Sequence, residues 1–289
     1  MRMGALIRVL LCALVCTLAG FAVPTAASPA RAEARAGVQA GAPPVAARAA
    51  YVADSEGTVH VAKRADRRTA VASLVKIMTA YVVLREAELD DVVRVTRADV
   101  RHAAANGATA AALRAGERLT VRDLLYGLML PSGADAANAL ARTYGPGKAA
   151  FVAKMNAAAS ALGLHDTRYA NADGLPSSGY STAADQVKLA QAALRQPEFR
   201  AIVGRQVYRV AKTTWHSAHV WRNTNKLFGM SDGVIGVKTG YTRAAGYCLL
   251  FAAERDGVQV VGALLGDQDS RRFATAARLL DYAFPRVAA

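Results

Sequence analysis

Cysteine is scarce in this chain: Cys12, Cys16 and Cys248 are the three in 289 residues. The first two fall in an amino-terminal stretch that reads as a leader, and neither follows the small residue that a lipid-modified cysteine requires. A processed chain would keep Cys248 alone, so no internal disulfide is expected and stability must come from packing. One thiol builds no thiolate cluster, and the five histidines are scattered without an H-E-x-x-H pair. His216 and His219, three apart, have a spacing zinc would accept, but a polar strand or loop edge explains them better. No glycine-rich phosphate loop follows a strand, and Gly174-Leu-Pro-Ser-Ser-Gly179 is wrongly spaced for a G-x-S-x-G elbow. These absences exclude kinase, dehydrogenase, zinc-hydrolase and α/β-hydrolase chemistry, and no metal or cofactor is called for. Long apolar runs are missing beyond the leader, which excludes tandem membrane spans.

What is present is globular: 53% hydrophobic and 20% charged residues, enough to bury a sizeable core. Arg2 and Arg8 precede an apolar run over residues 9–23, and Ala30-Arg31-Ala32 offers an A-x-A cleavage site. Residues 1–32 therefore read as a secretory signal peptide with a mature start near Glu33; a retained anchor is the competing reading. Residues 33–49, rich in Ala, Gly, Pro and Arg, read as a flexible spacer, and 50–289 as a single domain. Removing the leader removes three arginines and no acid, leaving +11 of the whole chain's +14. Such a surface suits an anionic cell envelope, although basic charge adapted to no partner explains it equally well; basic runs interleaved with aromatics, the mark of a nucleic-acid groove, are absent.

The hydrophobic pattern changes twice. Residues 51–62 alternate around the turn Asp54-Ser55-Glu56-Gly57 and predict a β-hairpin. Residues 72–84 are almost wholly apolar and predict a helix buried on most sides. Helical signals continue to about residue 200. Thr120 and Asp123 cap a helix through Met129, Pro131 breaks it, Ala134 to Tyr144 form the next, Phe151, Met155, Ala158 and Leu162 step along a third, and Thr182 with Asp185 caps a fourth running toward Pro197. Strands return at 234–239, 246–251 and 258–265, joined by turns short enough for antiparallel neighbours, before a closing helix over 272–284. Strands at both ends and helices between predict an α/β (α+β) fold: an antiparallel sheet flanked by helices, completed by the two chain ends, with an all-helical lobe inserted at about 85–200.

Ser73-Leu-Val-Lys76 opens the most apolar helix. Ser-x-x-Lys arises about once by chance in a chain of this length, but here the spacing puts both side chains on one face, beside free backbone N–H groups that favour an oxyanion. A lysine inside such a helix should lose basicity and take the serine proton; a snorkelling lysine is the bland reading. Pro131-Ser132-Gly133-Ala134-Asp135 lies in a helix break, and Gly236-Val-Lys238-Thr239-Gly240-Tyr241-Thr242 on a strand.

Together these three motifs resemble the active site of penicillin-recognising serine D,D-peptidases. The stretches Gly116-Glu-Arg-Leu-Thr-Val-Arg-Asp-Leu-Leu125, Asn223-Thr-Asn-Lys-Leu227, Ala245-Gly-Tyr247 and Leu279-Leu-Asp-Tyr282 narrow the resemblance to the low-molecular-mass D-alanyl-D-alanine carboxypeptidases, over about residues 51–285. The resemblance implies a β-lactamase/transpeptidase-like fold, with Ser73 as nucleophile, Lys76 as general base and Ser132 as proton relay. Lys238 and Thr239 would hold the terminal carboxylate, Gly240 and Tyr241 would line the substrate strand, and Arg272, chosen over Arg271, would assist. The substrate would be a peptidoglycan stem peptide ending in D-Ala-D-Ala, with β-lactam antibiotics as inhibitors, in an exported, wall-associated, monomeric enzyme. Because the chain stops at Ala289, the second β-rich domain and terminal amphipathic helix of many relatives are not expected, nor a stable membrane anchor after signal cleavage. One position departs from the family: the middle motif usually ends in an asparagine that contacts the substrate, and here it is Ala134. Asn138, one turn on, is expected to face elsewhere. A class A β-lactamase would need a deacylating glutamate, and none lies between Glu117 and Glu198. D,D-transpeptidation and a non-catalytic wall-binding role also compete with the carboxypeptidase reading.

Overall fold

The computed structural model describes residues 41–269 and 271–287; the signal-peptide reading and residues 33–40 of the spacer lie outside them. The hairpin of β1 (Ala49–Asp54) and β2 (Val59–Lys63) is tied by the Asp54 carboxylate, which accepts from the Glu56 and Thr58 amides at 2.9 Å each. A 3-10 turn (Ala72–Leu74) runs into α1 (Val75–Glu86), buried at every residue from Val75 to Val83. Then come β3 (Val92–Arg94), α2 (Arg97–Ala105), β4 (Arg118–Thr120), α3 (Val121–Met129), α4 (Ala134–Tyr144), α5 (Lys148–Ala161), α6 (Ala183–Leu194) and α7 (Pro197–Gly204). The chain returns through β5 (Val207–Val210) and β6 (His219–Arg222) to β7 (Val234–Thr242), β8 (Gly246–Arg255), β9 (Val258–Asp267) and the closing α8 (Arg271–Val287).

The main sheet runs β2-β1-β9-β8-β7, antiparallel throughout, so the amino-terminal hairpin completes the sheet beside the last strand. Alternation along β8 assigns its two faces: Leu250 and Ala252 join the core around α1 and the helical lobe, while Leu249 and Phe251 pack with Phe273, Leu279 and Leu280 of α8. Caps fall where the sequence signals them, with Thr120 accepting from the Asp123 amide and Thr182 from that of Asp185.

Two expectations need amendment. The lobe over 85–200 is not wholly helical: β3 and β4 pair antiparallel in it, Val92 opposite Thr120, as strands of three residues too short to show alternation. The helix running toward Pro197 is α6, which ends at Leu194, and the proline, with no N–H to bond, starts α7 at its first position. The spacer is packed before residue 49: Ala47 is fully buried, Val45 accepts from Lys63 Nζ, and Arg48 donates to the carbonyls of Ala244 and Ala245.

Candidate active site

Ser73 sits where the chain changes direction. Ala72, immediately before it, has φ 51°, a left-handed conformation costing a non-glycine residue about 1–2 kcal/mol. Two glycines let neighbouring backbone close on this turn. A Cβ on Gly174 (φ 92°) would lie 2.3 Å from the Ala72 carbonyl oxygen, and one on Gly240 would lie 3.2 Å from the Ser73 nitrogen. Lys76, on the first turn of α1, is 1% exposed; its Nζ donates to Ser73 Oγ at 3.0 Å and to the Asp173 carbonyl at 2.7 Å. Burial lowers its pKa from 10.5 to about 8, against the opposing pull of Asp173 and Asp135. An amine of this basicity loses its proton about one unit above neutral pH and, once deprotonated, can accept the serine proton.

Ser132 projects from the break between α3 and α4 with φ 68°, and its Oγ, though buried, makes no hydrogen bond with any described group. The turn is fixed from behind by Asp135, whose carboxylate accepts from the amides of Ala111, Leu113 and Ala136. β7 forms the opposite wall. Lys238 is buried there, and burial first, then the charges of Lys76 and Arg272, holds its pKa well below the ordinary lysine value. Thr239 Oγ1 lies 2.6 Å from Thr224 Oγ1, and the exposed Tyr241 ring stacks on Tyr247 with centroids 4.3 Å apart. Arg272, from the first turn of α8, lies 4.8 Å over the Tyr247 ring, contacts Asp269 through Nη2 at 3.2 Å and keeps Nε and Nη1 unpaired among the described residues.

Ser73, Lys76, Ser132, Thr239, Gly240, Tyr241 and Arg272 line one cavity of about 690 Å³. A serine bonded to a buried amine of lowered basicity, beside a strand that carries Lys238 and opposite the Arg272 guanidinium, is equipped for acyl transfer from a substrate ending in a carboxylate. The family model described as D-alanyl-D-alanine carboxypeptidase matches residues 36–269. The chain belongs to that family.

Among relatives, the D-alanyl-D-alanine carboxypeptidase of Streptomyces sp. (strain K15) is 41% identical over 258 residues, covering 84% of this chain and 88% of that one. DacF of Bacillus subtilis (strain 168) is 33% identical over 247 residues, 83% of this chain but 62% of the relative. The crystal structure of the Streptomyces K15 DD-transpeptidase superposes with a TM-score of 0.80 at 41% identity, over 84% of this chain and 98% of that one. The family's serine-peptidase chemistry and penicillin-binding fold are thereby this chain's.

Two predicted residues of this D,D-peptidase stand apart from the cavity wall. Lys238 lies beneath it, 1% exposed, its Nζ donating to the Thr239 carbonyl at 2.9 Å. Ala134 does not line it at all: it is fully buried as the first residue of α4, its amide donating to the Thr109 carbonyl. The cavity wall includes residues 106–109 instead. Those residues and Thr224 escaped sequence reading as site residues. Thr224 lies within Asn223-Thr-Asn, a stretch carrying the resemblance, whereas nothing in Asn106-Gly-Ala-Thr109 signals a cavity wall. Asn138 keeps off the wall, as expected, and turns toward Asp173, bonding it at 2.9 Å.

Proposed function

We propose that this family member is an extracytoplasmic D-Ala-D-Ala carboxypeptidase acting through an acyl-enzyme on Ser73, on peptidoglycan stem peptides ending in D-Ala-D-Ala. The observation that carries the reading is the Lys76 Nζ to Ser73 Oγ hydrogen bond, made by an amine whose pKa is drawn down to about 8. Lys76 takes the hydroxyl proton as the serine oxygen attacks the penultimate D-Ala carbonyl carbon. The backbone N–H groups of Ser73 and Tyr241 hold the oxyanion; a donor in that role is worth about 2.7–4 kcal/mol of barrier. The proton passes through Ser132 to the departing amine as the C–N bond breaks, releasing D-Ala and leaving an ester on Ser73. Water then attacks the ester, gives its proton to Lys76, and the restored hydroxyl recovers it. Lys238, Thr239 and Arg272 hold the substrate's terminal carboxylate, and the β7 edge with Gly240 and Tyr241 pairs with the peptide backbone as an added strand.

β-Lactams enter by the same serine, and with no glutamate between Glu117 and Glu198 to activate a deacylating water the penicilloyl adduct should be long-lived. The protein acts as a monomer in this reading. Mass spectrometry after incubation with a fluorescent penicillin should find the added mass on Ser73, and D-Ala release from diacetyl-lysyl-D-Ala-D-Ala should vanish in Ser73→Ala. A folded protein that gains no mass would defeat the assignment. A second reading, transfer of the acyl group to an amine, is favoured by the likeness to the Streptomyces K15 protein, whose crystal structure is that of a DD-transpeptidase. Product analysis with and without an acceptor amine separates the two.

A further inference from the structure

Behind the catalytic amine lies a buried acid that the reaction itself does not use. Asp173 is 1% exposed, and its backbone carbonyl accepts from Lys76 Nζ at 2.7 Å. Its carboxylate accepts from the Leu175 amide at 3.0 Å and from Asn138 Nδ2 at 2.9 Å, and lies 2.8 Å from His102 Nε2 without hydrogen-bond alignment. Each partner leads to a different wall of the cavity. The Asn138 amide also donates to the Ala134 carbonyl at 2.7 Å, beside the Ser132 turn. His102 is near the end of α2, and its carbonyl accepts from Asn106 Nδ2 at the start of the 106–109 wall. A carboxylate this deeply buried is sustained only by such bonds and a nearby positive charge.

We propose that Asp173 is a positioning residue for the general base: its carboxylate, braced by Asn138 and the Leu175 amide, fixes the carbonyl that aims Lys76 at Ser73 and serves as counter-charge to that amine. The inference rests on Lys76 being the base. The other charges facing Lys76 are Asp135 from α4, which also favours its protonated form, and Lys238 from β7, which opposes it, with Arg272 behind Lys238. Asp135 is engaged by three backbone amides on the Ser132 side, so Asp173 is the acid whose own peptide touches the amine.

The test is the rate constant for acylation by a fluorescent penicillin from pH 5.5 to 10, in the full chain, with melting temperatures measured alongside. Wild type should show an acid limb near pH 8. Asp173→Asn keeps the shape and removes the charge, so its limb should move to lower pH by about one unit, making the rate at pH 6.5 about tenfold larger relative to its own plateau. His102→Lys, at a partly exposed side chain, places a fixed cation against Asp173 and should move the limb the same way; it decides the matter alone if Asp173→Asn does not fold. Limbs that coincide with wild type in the folded variants, or a rate lowered by one factor at every pH, would overturn the inference and leave the base assignment standing. A wild-type protein that is not acylated, or shows no limb, would remove the base assignment and this inference together.

Discussion

Replacing Lys76 with methionine should make the protein more stable while disabling it. With its pKa drawn from 10.5 to about 8 by burial, the charged amine costs the fold about 3 kcal/mol at neutral pH, at 1.36 kcal/mol per unit. The pH dependence has a definite sign. Below pH 8 folded and unfolded chains both carry the proton, and the whole penalty is present. Between 8 and 10.5 the unfolded chain holds a proton the folded chain has lost, so wild-type stability rises with pH; above 10.5 the penalty is gone. Methionine removes the charge and forfeits the bonds to Ser73 Oγ and the Asp173 carbonyl, about 1 kcal/mol each at most. The net expectation is a gain of about 1–2 kcal/mol at pH 7, or about 2–8 °C in Tm for a domain of this size, and a loss of about 1–2 kcal/mol above pH 10.5. Guanidinium unfolding of both proteins at pH 7 and pH 10.5 should therefore show the order of stability reversing, with penicillin acylation down by a factor of about 10²–10⁴ at pH 7. A variant weaker than wild type by the same amount at both pH values would refute the reasoning, because the amine would then carry no burial penalty.

Ala134→Asn restores the family's usual residue but places it in a fully packed position, so it should destabilise the domain by about 1–3 kcal/mol without raising D-Ala release; a faster variant of unchanged Tm would contradict the placement of α4. Gly240→Ala brings a methyl to 3.2 Å from the Ser73 nitrogen and displaces the nucleophile turn by a few tenths of an ångström, so acylation should slow about tenfold with little change in Tm, measured by stopped-flow fluorescence. Because burial first, then the charges of Lys76 and Arg272, hold Lys238 well below its ordinary pKa, a ligand carboxylate should return a proton to it. Calorimetry of penicillin binding to Ser73→Ala from about pH 7 to about pH 10, in buffers of different ionisation enthalpy, should record proton uptake, and none beyond that of Lys76 would be found if Lys238 were already charged.

How much of this is legible in the sequence follows from the range of each signal. The apolar density of residues 72–84 announces the buried α1, Gly145 ends α4 where expected, and alternation around Asp54-Ser55-Glu56-Gly57 marks the first hairpin. β3 and β4 stay hidden because three residues carry no period, and β5 and β6 because their exposed positions, such as Val220, leave the apolar pattern mixed. In the site, Ser73, Lys76 and Lys238 are marked by motif, but Asp173 is about a hundred residues from the lysine it supports, and only the fold reveals that it turns its carbonyl to Nζ. Ala134 shows the reverse limit. The motif gives its register correctly, yet nothing local tells that residues 106–109 cross in front of α4 and take over the wall.

Several positions that break local rules gather at one seam. Ala72 and Ser132 adopt positive φ without being glycine, two lysines lie almost wholly inside the protein, and the Ser132 hydroxyl is buried without a partner among the described residues. Each would be selected against in a helix or strand chosen for stability alone. They persist because rigid elements surround them: α1 is buried from Val75 to Val83, Thr79 Oγ1 ties it to the Ala172 carbonyl beside Asp173, and β7 is bonded along its length to β8. Strain held between such supports fixes the serine, the amine and the hydroxyl before substrate arrives, so little reorganisation remains for the reaction. It follows that loosening a support, as Thr79→Val would by freeing the Ala172 carbonyl, should slow acylation more than it lowers the global stability of the domain. Amide exchange over residues 171–175, compared with that of α8, would show whether the loosening is confined to the site.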